Sequence, residues 1–426
     1  MIDLLPYAAL GATAAMWLVV FAIARPRLLL YLMFALAPTQ FLFIPVSDFH
    51  VSPADALTVG AAIAFALRLA TLQAAPWRAL IQHRFMLLMI GSYFAGFVVN
   101  GVFSRTVVRL PMALLMSILA CELLRTRRQL LRAATALVVA GAIDAIYGIA
   151  VIAREGAVVG GRFSGMSDVN FAAMLIGTSA VISLALIGRT RKPAQLARPG
   201  ALTGMALSTL SQMGVLALFA AWVTVLRRLV SRANRTRIVA AVVVIGAVAL
   251  MVTPVRDRIV NRNAPIIQQD GSVRNSAEVR WMIMSLAWTG FSTSPVVGLG
   301  YYQFPQFSTR DADIAAWSLG EGYPTHNAYL EVLVEGGLIA FVLLGLHFFR
   351  YRRLPSAIRH VVAERDRPVA ASLVGLPVML VCAMFANVLI VYSFWMVCGL
   401  ALAGLNLLRR ETAQLSRDPA GGEAAR

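Results

Sequence analysis

The chain has 426 residues, 59% of them hydrophobic and only 14% charged, with a mean hydropathy of +0.75. A soluble domain holds about 45–50% apolar residues, so this composition excludes a water-soluble globular fold and marks an integral membrane protein. The formal net charge of +18 does not point to nucleic acid either, because the basic residues (all Arg except Lys192) fall in short clusters between apolar runs, where topology charges sit.

Taken in chain order, the apolar stretches predict an all-α, polytopic bundle. Spans are expected at 4–24, 28–46, 54–71, 85–102, 106–124, 131–151, 168–187, 237–253, 325–347, 369–387 and 390–408. One or two further crossings within 196–230 bring the expectation to about 11 to 13 transmembrane helices. The first segment lacks a basic leader and another span follows at once, so no cleavable signal peptide is expected. Cys121, Cys382 and Cys398 lie inside apolar segments and read as small hydrophobes, not as disulfide or zinc ligands. The chain thus divides into a transmembrane bundle (1–253), a large loop (254–324), C-terminal transmembrane helices (325–408) and a polar tail (409–426) expected to be disordered and cytoplasmic.

The Arg bias sets the expected orientation. Clusters at Arg125/Arg127/Arg128/Arg132, Arg189/Arg191/Lys192, Arg227/Arg228/Arg232, Arg350/Arg352/Arg353/Arg359 and Arg409/Arg410 are placed in the cytoplasm. Residues 254–324 carry six Arg and six acidic residues. Lacking positive bias, that loop is expected on the periplasmic side. Within it, 276–291 reads as a short amphipathic helix, with Ser276 as N-cap and Glu278 in its first turn, and Pro295, Gly298 and Gly300 then form a turn. Both flanks of 196–230 read as cytoplasmic, so a short hairpin with an outer turn near Ser208–Gly214 is expected there.

The outward rim holds the candidate chemistry. His326 and Asn327 open the span after the loop, and Glu331 lies just over one turn deeper. An interfacial histidine is often a satisfied polar residue, but imidazole is also a ready general base or acid near neutral pH. Arg280 either anchors its helix by snorkelling or grips a phosphate, for which its planar fork is suited. Arg162 follows two glycines that either form a turn or let backbone approach a diphosphate. Asn170 orients a sugar hydroxyl or satisfies backbone groups. Arg105, Arg109 and Gln212 lie on the same rim. Asp311 and Asp313 superficially resemble a metal-binding pair, but so short a pattern arises by chance. No P-loop, CxxC or HExxH occurs, and no metal or cofactor is expected.

Two arginine-containing stretches and one histidine on the outer face suit a reaction on a polyprenyl diphosphate, whose tail stays in the bilayer while phosphates and sugar lie at the interface. In GSVRNSAEVRW, SPVVGLGYYQF and THNAYLEVLVEGGLIAFVLLG (271–345), and again in GGRFSGMSDVNFAAMLI (160–176), the sequence resembles the O-antigen ligase and O-antigen or exopolysaccharide polymerase superfamily of bacterial membrane glycosyltransferases. VSPADALTVG (51–60), with Asp55, is a weaker match. The chain departs from the family's Ser-Arg-Gly at the outer turn of the central helix pair, reading Ser211-Gln212-Met213-Gly214.

The resemblance implies inverting, metal-independent transfer of a glycan from undecaprenyl diphosphate to an acceptor hydroxyl at the periplasmic face of the inner membrane. His326 would be the base. Arg280 and Arg162, with Gln212 and Arg105, would hold the donor diphosphate, and Asn327, Glu331 and Asn170 would support the site. The acceptor would be a second lipid-linked unit or a lipid A core, with a flippase and a chain-length regulator as possible partners. A transporter or flippase for a lipid-linked glycan is the alternative; it predicts midplane polar residues, of which Asp144 is the one candidate.

Overall fold

A chain this apolar can satisfy its backbone inside hydrocarbon only by forming helices, and helices dominate the structure. The computed structural model describes residues 16–42, 44–46, 49–70, 77–101, 109–155, 166, 169–187, 197–209, 218–219, 266–267, 273–274, 276–318, 320, 322–360, 366–384, 386, 389 and 391–417. In order these form α1 (Met16–Ala24), α2 (Pro26–Ala35), a 3-10 turn (Ala37–Phe41), β1 (Ile44–Val46), β2 (Phe49–Val51), α3 (Pro53–Ala70), α4 (Trp77–Asn100), α5 (Arg109–Leu123), α6 (Arg127–Glu155), α7 (Val169–Ile187) and α8 (Ala197–Ser208). Then come β3 (Ile266–Ile267), β4 (Val273–Arg274), α9 (Ser276–Thr293), α10 (Phe304–Ser308), α11 (Ala312–Trp317), α12 (Ala328–Phe349), a 3-10 turn (Arg350–Arg353), α13 (Leu354–His360), α14 (Arg367–Cys382) and α15 (Tyr392–Arg417). The strands make two small antiparallel ribbons, β1 with β2 and β3 with β4.

Among the described residues four helices are long and apolar enough to cross a membrane, and five if the bent pair α1–α2 counts as one span. The fold is therefore an all-α, polytopic membrane protein. Several expected spans take other forms. The 28–46 stretch breaks into the last part of α2, a 3-10 turn and β1. Pro26 removes an N–H and forces Arg25 out of helical geometry (φ −133°, ψ 55°), so α1 and α2 meet at 114°. α15 continues to Arg417, nine residues past the expected end at 408, where a polar tail is expected. Segments 4–15 and 237–253, and the hairpin beyond Thr209, lie outside the described residues.

α7 lies against α6, α8 and α14, while α15 packs on α5 and α14, and α4 on α12. Small residues permit these approaches: a Cβ at Gly399 on α15 would stand 2.6 Å from Ser117 Cα on α5, and one at Gly375 on α14 would stand 3.2 Å from Thr178 and Ile182 on α7. Trp395 and Phe394 fill the centre. The buried His83 ring bonds the Ser117 hydroxyl (2.8 Å) and the Ala79 carbonyl (2.7 Å).

One end of the bundle gathers the arginine clusters. Arg127 pairs with Asp366 and Glu411, each at 2.7 Å. Arg409 lies within electrostatic reach of Arg352 and Arg353, and Arg350 donates to the carbonyls of Ile81 and Gln82. Clusters from three distant stretches of sequence thus meet on one side, as the charge bias predicts.

Candidate functional site

α12 opens at the other end. Asn327, in extended geometry (φ −148°, ψ 110°), caps it: its Oδ1 accepts the N–H groups of Tyr329 and Leu330, both at 3.0 Å. The Thr325 hydroxyl donates to the Asn327 carbonyl (2.9 Å). Ala328 N–H reaches the Ala383 carbonyl (2.8 Å), and the Tyr329 hydroxyl reaches the Leu380 carbonyl (3.0 Å), so the start of α12 is fastened to the end of α14. Between Thr325 and Asn327 the chain must turn sharply, and His326 takes a left-handed conformation (φ 51°) to do so. Its ring is half-buried and lies 6.0 Å from the ring of Tyr323.

Ten residues along, α12 breaks. Gly337 has φ 65° and ψ −169°, which interrupts the helical ladder. The carbonyls of Val334 and Glu335, released by the break, accept N–H bonds from Leu299 and Gly300, both at 2.9 Å. The N–H groups of Leu338 and Ile339, likewise released, donate to the carbonyls of Pro295 (2.8 Å) and Val296 (3.3 Å). The P-V-V-G-L-G turn is thus stitched into the E-G-G break by four backbone bonds. The glycines are steric requirements here, since a Cβ on Gly298 would strike the Glu335 carbonyl and one on Gly337 the Val296 carbonyl. Glu335 itself is buried and accepts the N–H groups of Tyr302 (2.8 Å) and Phe304 (3.2 Å), fixing the entry to α10.

α9 begins on Ser276 itself, so Ser276 lies within the helix rather than at its cap. It buries Val279, Ile283 and Ala287 in a small core shared with Phe304, Phe307, Ile314 and Val334, against which Tyr323 and Leu330 pack. That four-residue spacing is the amphipathic pattern read from sequence. Arg280, half-buried, follows Val279 on this helix. Arg280 and His326 therefore sit on elements joined by one core and one backbone stitch.

Tyr301 is buried with its ring 5.2 Å from that of Tyr93. Glu331 is buried, one turn below Asn327. On the adjoining side Ser52 and Asp55 form a capping box for α3: Asp55 Oδ2 accepts Ser52 N–H (3.0 Å), and Ser52 Oγ accepts Asp55 N–H (3.1 Å). The Tyr392 hydroxyl donates to Asp55, and Tyr392 N–H to Gln40 (2.8 Å).

Asn170 starts α7 and is half-buried. Asp144, the candidate midplane acid for transport, accepts the backbone N–H of Met166 at 2.7 Å and so anchors the end of the 161–166 stretch. Asp311 Oδ1 accepts the N–H groups of Asp313 and Ile314, both at 3.1 Å, which makes it a helix cap. Arg105, Arg162 and Gln212 lie outside the described residues. Sequence reasoning missed Tyr301, Tyr392 and Glu335. An acid in the middle of an apolar span was the available signal for Glu335.

Residues 200–345 match a family model described as O-antigen ligase, which takes in α8, the stitched turn, the α9 helix and nearly all of α12. That segment, 146 of the 426 residues, is similar to the O-antigen ligase family, which supports the resemblance read from sequence. No curated protein matches it. The match supports a role in O-antigen ligation or polymerisation, and the apolar helices agree with a multi-pass membrane protein. His326, Arg280 and the stitch all fall inside the matched O-antigen ligase segment.

Proposed function

We propose that this protein transfers a glycan from undecaprenyl diphosphate to an acceptor hydroxyl at the periplasmic face of the bacterial inner membrane, in the assembly of O-antigen or exopolysaccharide. The observation that carries the reading is the left-handed, half-exposed His326, held between two fixed neighbours at the end of the bundle opposite the arginine clusters. A base on a rigid turn keeps its geometry while a substrate arrives.

In the proposed reaction the imidazole of His326 accepts the acceptor hydroxyl proton. The freed oxygen forms a bond to the anomeric carbon from the face opposite the leaving group, the bond from that carbon to the diphosphate oxygen breaks, and undecaprenyl diphosphate departs with the electron pair. Inversion follows from that single displacement. Arg280 stabilises charge growing on the diphosphate oxygens, with Arg162, Arg105 and Gln212 as further donors. Guanidinium groups take the place that a divalent cation holds in other transferases. Asn327 supports the reaction by capping α12 and so fixing His326, Glu331 by its place one turn below, and Asn170 by its place at the start of α7. A flippase delivering the donor and a chain-length regulator are the expected partners.

The test is complementation in cells whose surface polysaccharide disappears when the gene is deleted. His326→Ala and Arg280→Ala, at membrane levels matching wild type, are expected to abolish the mature glycan. Accumulated single repeat units would identify a polymerase, and long polyprenyl-linked chains missing from the acceptor a ligase. Normal polysaccharide from both variants would remove the assigned base and phosphate clamp.

A further inference from the structure

The arginines at 350, 352 and 353 mark where α12 leaves the hydrocarbon. Gly337 lies twelve residues before Phe349 (349 − 337), which is about 18 Å of helix at the usual rise. A hydrocarbon core of about 30 Å therefore extends about 12 Å beyond Gly337, toward Ala328. The turn at 295–300 is hydrogen-bonded at the level of Gly337. A loop riding wholly in water above the membrane cannot reach that level.

Irregular backbone at membrane depth is tolerated where protein satisfies its polar groups. That condition is met here: four backbone bonds join the turn to the break in α12, and Glu335 takes the next two N–H groups along. Close packing agrees, since a Cβ on Gly290 of α9 would stand 2.9 Å from Val334, one turn above the break. Yet the side of this segment facing away from the protein carries large apolar side chains, and the exposed hydroxyls of Thr289, Ser292 and Thr293 are satisfied within the helix by the carbonyls of Ser285, Trp288 and Gly290. Trp281 is 72% exposed, Trp288 60% and Val296 57%. Val296 is bonded directly to Ile339, itself 43% exposed on the open flank of α12. The apolar strip on the loop thus continues the lipid-facing strip of a membrane-spanning helix.

We propose that residues 276–303 form a re-entrant element, in which α9 descends into the bilayer and the 295–300 turn lodges in the broken helix, and that the hydrocarbon chains of the leaflet on that side cover Trp288 and Val296. Trp281 then stands nearer the interface, where an indole places its apolar body in lipid and its N–H among polar groups. As a consequence that rests on the transfer reading, Arg280 heads a lipid-facing strip, where the diphosphate of a lipid-linked donor arrives.

The test uses the full chain in membranes and a membrane-impermeant maleimide. Cys121, Cys382 and Cys398 are buried and give little background. Val296→Cys is expected to escape labelling until the membrane is dissolved in denaturing detergent, while Ala312→Cys, exposed on α11, is labelled at once. In proteoliposomes, Trp288→Phe is expected to remove a share of the tryptophan quenching produced by lipids brominated at mid-chain. Equal labelling of the two cysteines, or mid-chain quenching unchanged in Trp288→Phe, would overturn the proposal. Neither readout depends on glycan transfer, so failure of the transfer reading leaves both intact.

Discussion

The carboxylate of Glu335 accepts the backbone N–H of Tyr302 at 2.8 Å, across 33 positions of sequence. With the second bond, from Phe304, it converts a break in α12 into an anchor for the turn that leads to α10. Each oxygen of the buried Glu335 carboxyl group takes one N–H group, so two backbone donors are satisfied at a single side chain. Glu335→Gln offers one acceptor where two N–H groups wait, and turns an amide N–H₂ toward a donor. A loss of about 2 kcal/mol is expected, read as a lower unfolding temperature of the detergent-purified protein, with Glu335→Ala at least as severe.

Gly337 and Gly345 lie on the same helix and should respond oppositely to alanine. At Gly337 the backbone is left-handed and a Cβ meets the Val296 carbonyl, so Gly337→Ala combines about 1–2 kcal/mol of conformational cost with a steric clash. A marked drop in folded protein on size-exclusion chromatography is expected. At Gly345 a Cβ meets nothing within 4 Å, so Gly345→Ala is expected to keep or raise stability by up to about 1 kcal/mol.

His326 separates stability from activity. Its φ of 51° is easier for glycine, so His326→Gly is expected to hold or raise the unfolding temperature while abolishing transfer. Asn327→Ala is expected to lower both: loss of the cap costs about 1 kcal/mol and loosens the turn that fixes His326, and Asn327→Asp restores the cap. If His326→Gly lowers stability while transfer persists, the residue is a structural element of the turn and not the base.

Tyr301 packs its ring against Tyr93 at 5.2 Å, and among the described residues its buried hydroxyl has no hydrogen-bond partner. Tyr301→Phe therefore removes a buried polar group without breaking a bond. The variant is expected to match or exceed wild-type stability, read as the unfolding temperature of the detergent-purified protein.

Composition alone made the membrane-spanning helical class legible, and the period of the apolar residues in 276–291 located α9 to within two residues of its observed end. The His-Asn opening of α12 was legible because an N-cap needs a short polar side chain before an apolar run. What sequence did not reveal was pairing at a distance. The glycines of 295–300 and those of 336–337 each read as ordinary turn or packing residues, and only tertiary structure joins them. The expected span at 28–46 failed for a local reason, since Pro38 and Pro45 punctuate a stretch that hydropathy treats as continuous, and Pro26 precedes it.

Gln212 supplies the last prediction, one that concerns donor binding rather than folding. The family resemblance places an Arg at this turn, where a guanidinium makes paired, charge-assisted bonds to phosphate oxygens and a carboxamide makes at most a neutral one. Exchanging the weaker contact for the stronger is worth about 1–2 kcal/mol, or about 5- to 30-fold in affinity. Gln212→Arg is therefore expected to lower the KM for the lipid-linked donor by that order in a reconstituted transfer assay. If the gain is in ground-state binding alone, kcat stays level; if the guanidinium also follows charge onto the departing diphosphate, kcat rises as well. An increase in KM would mean that the turn has been rebuilt around glutamine, with the diphosphate held by Arg280 and Arg162 in a position that a second long cation crowds.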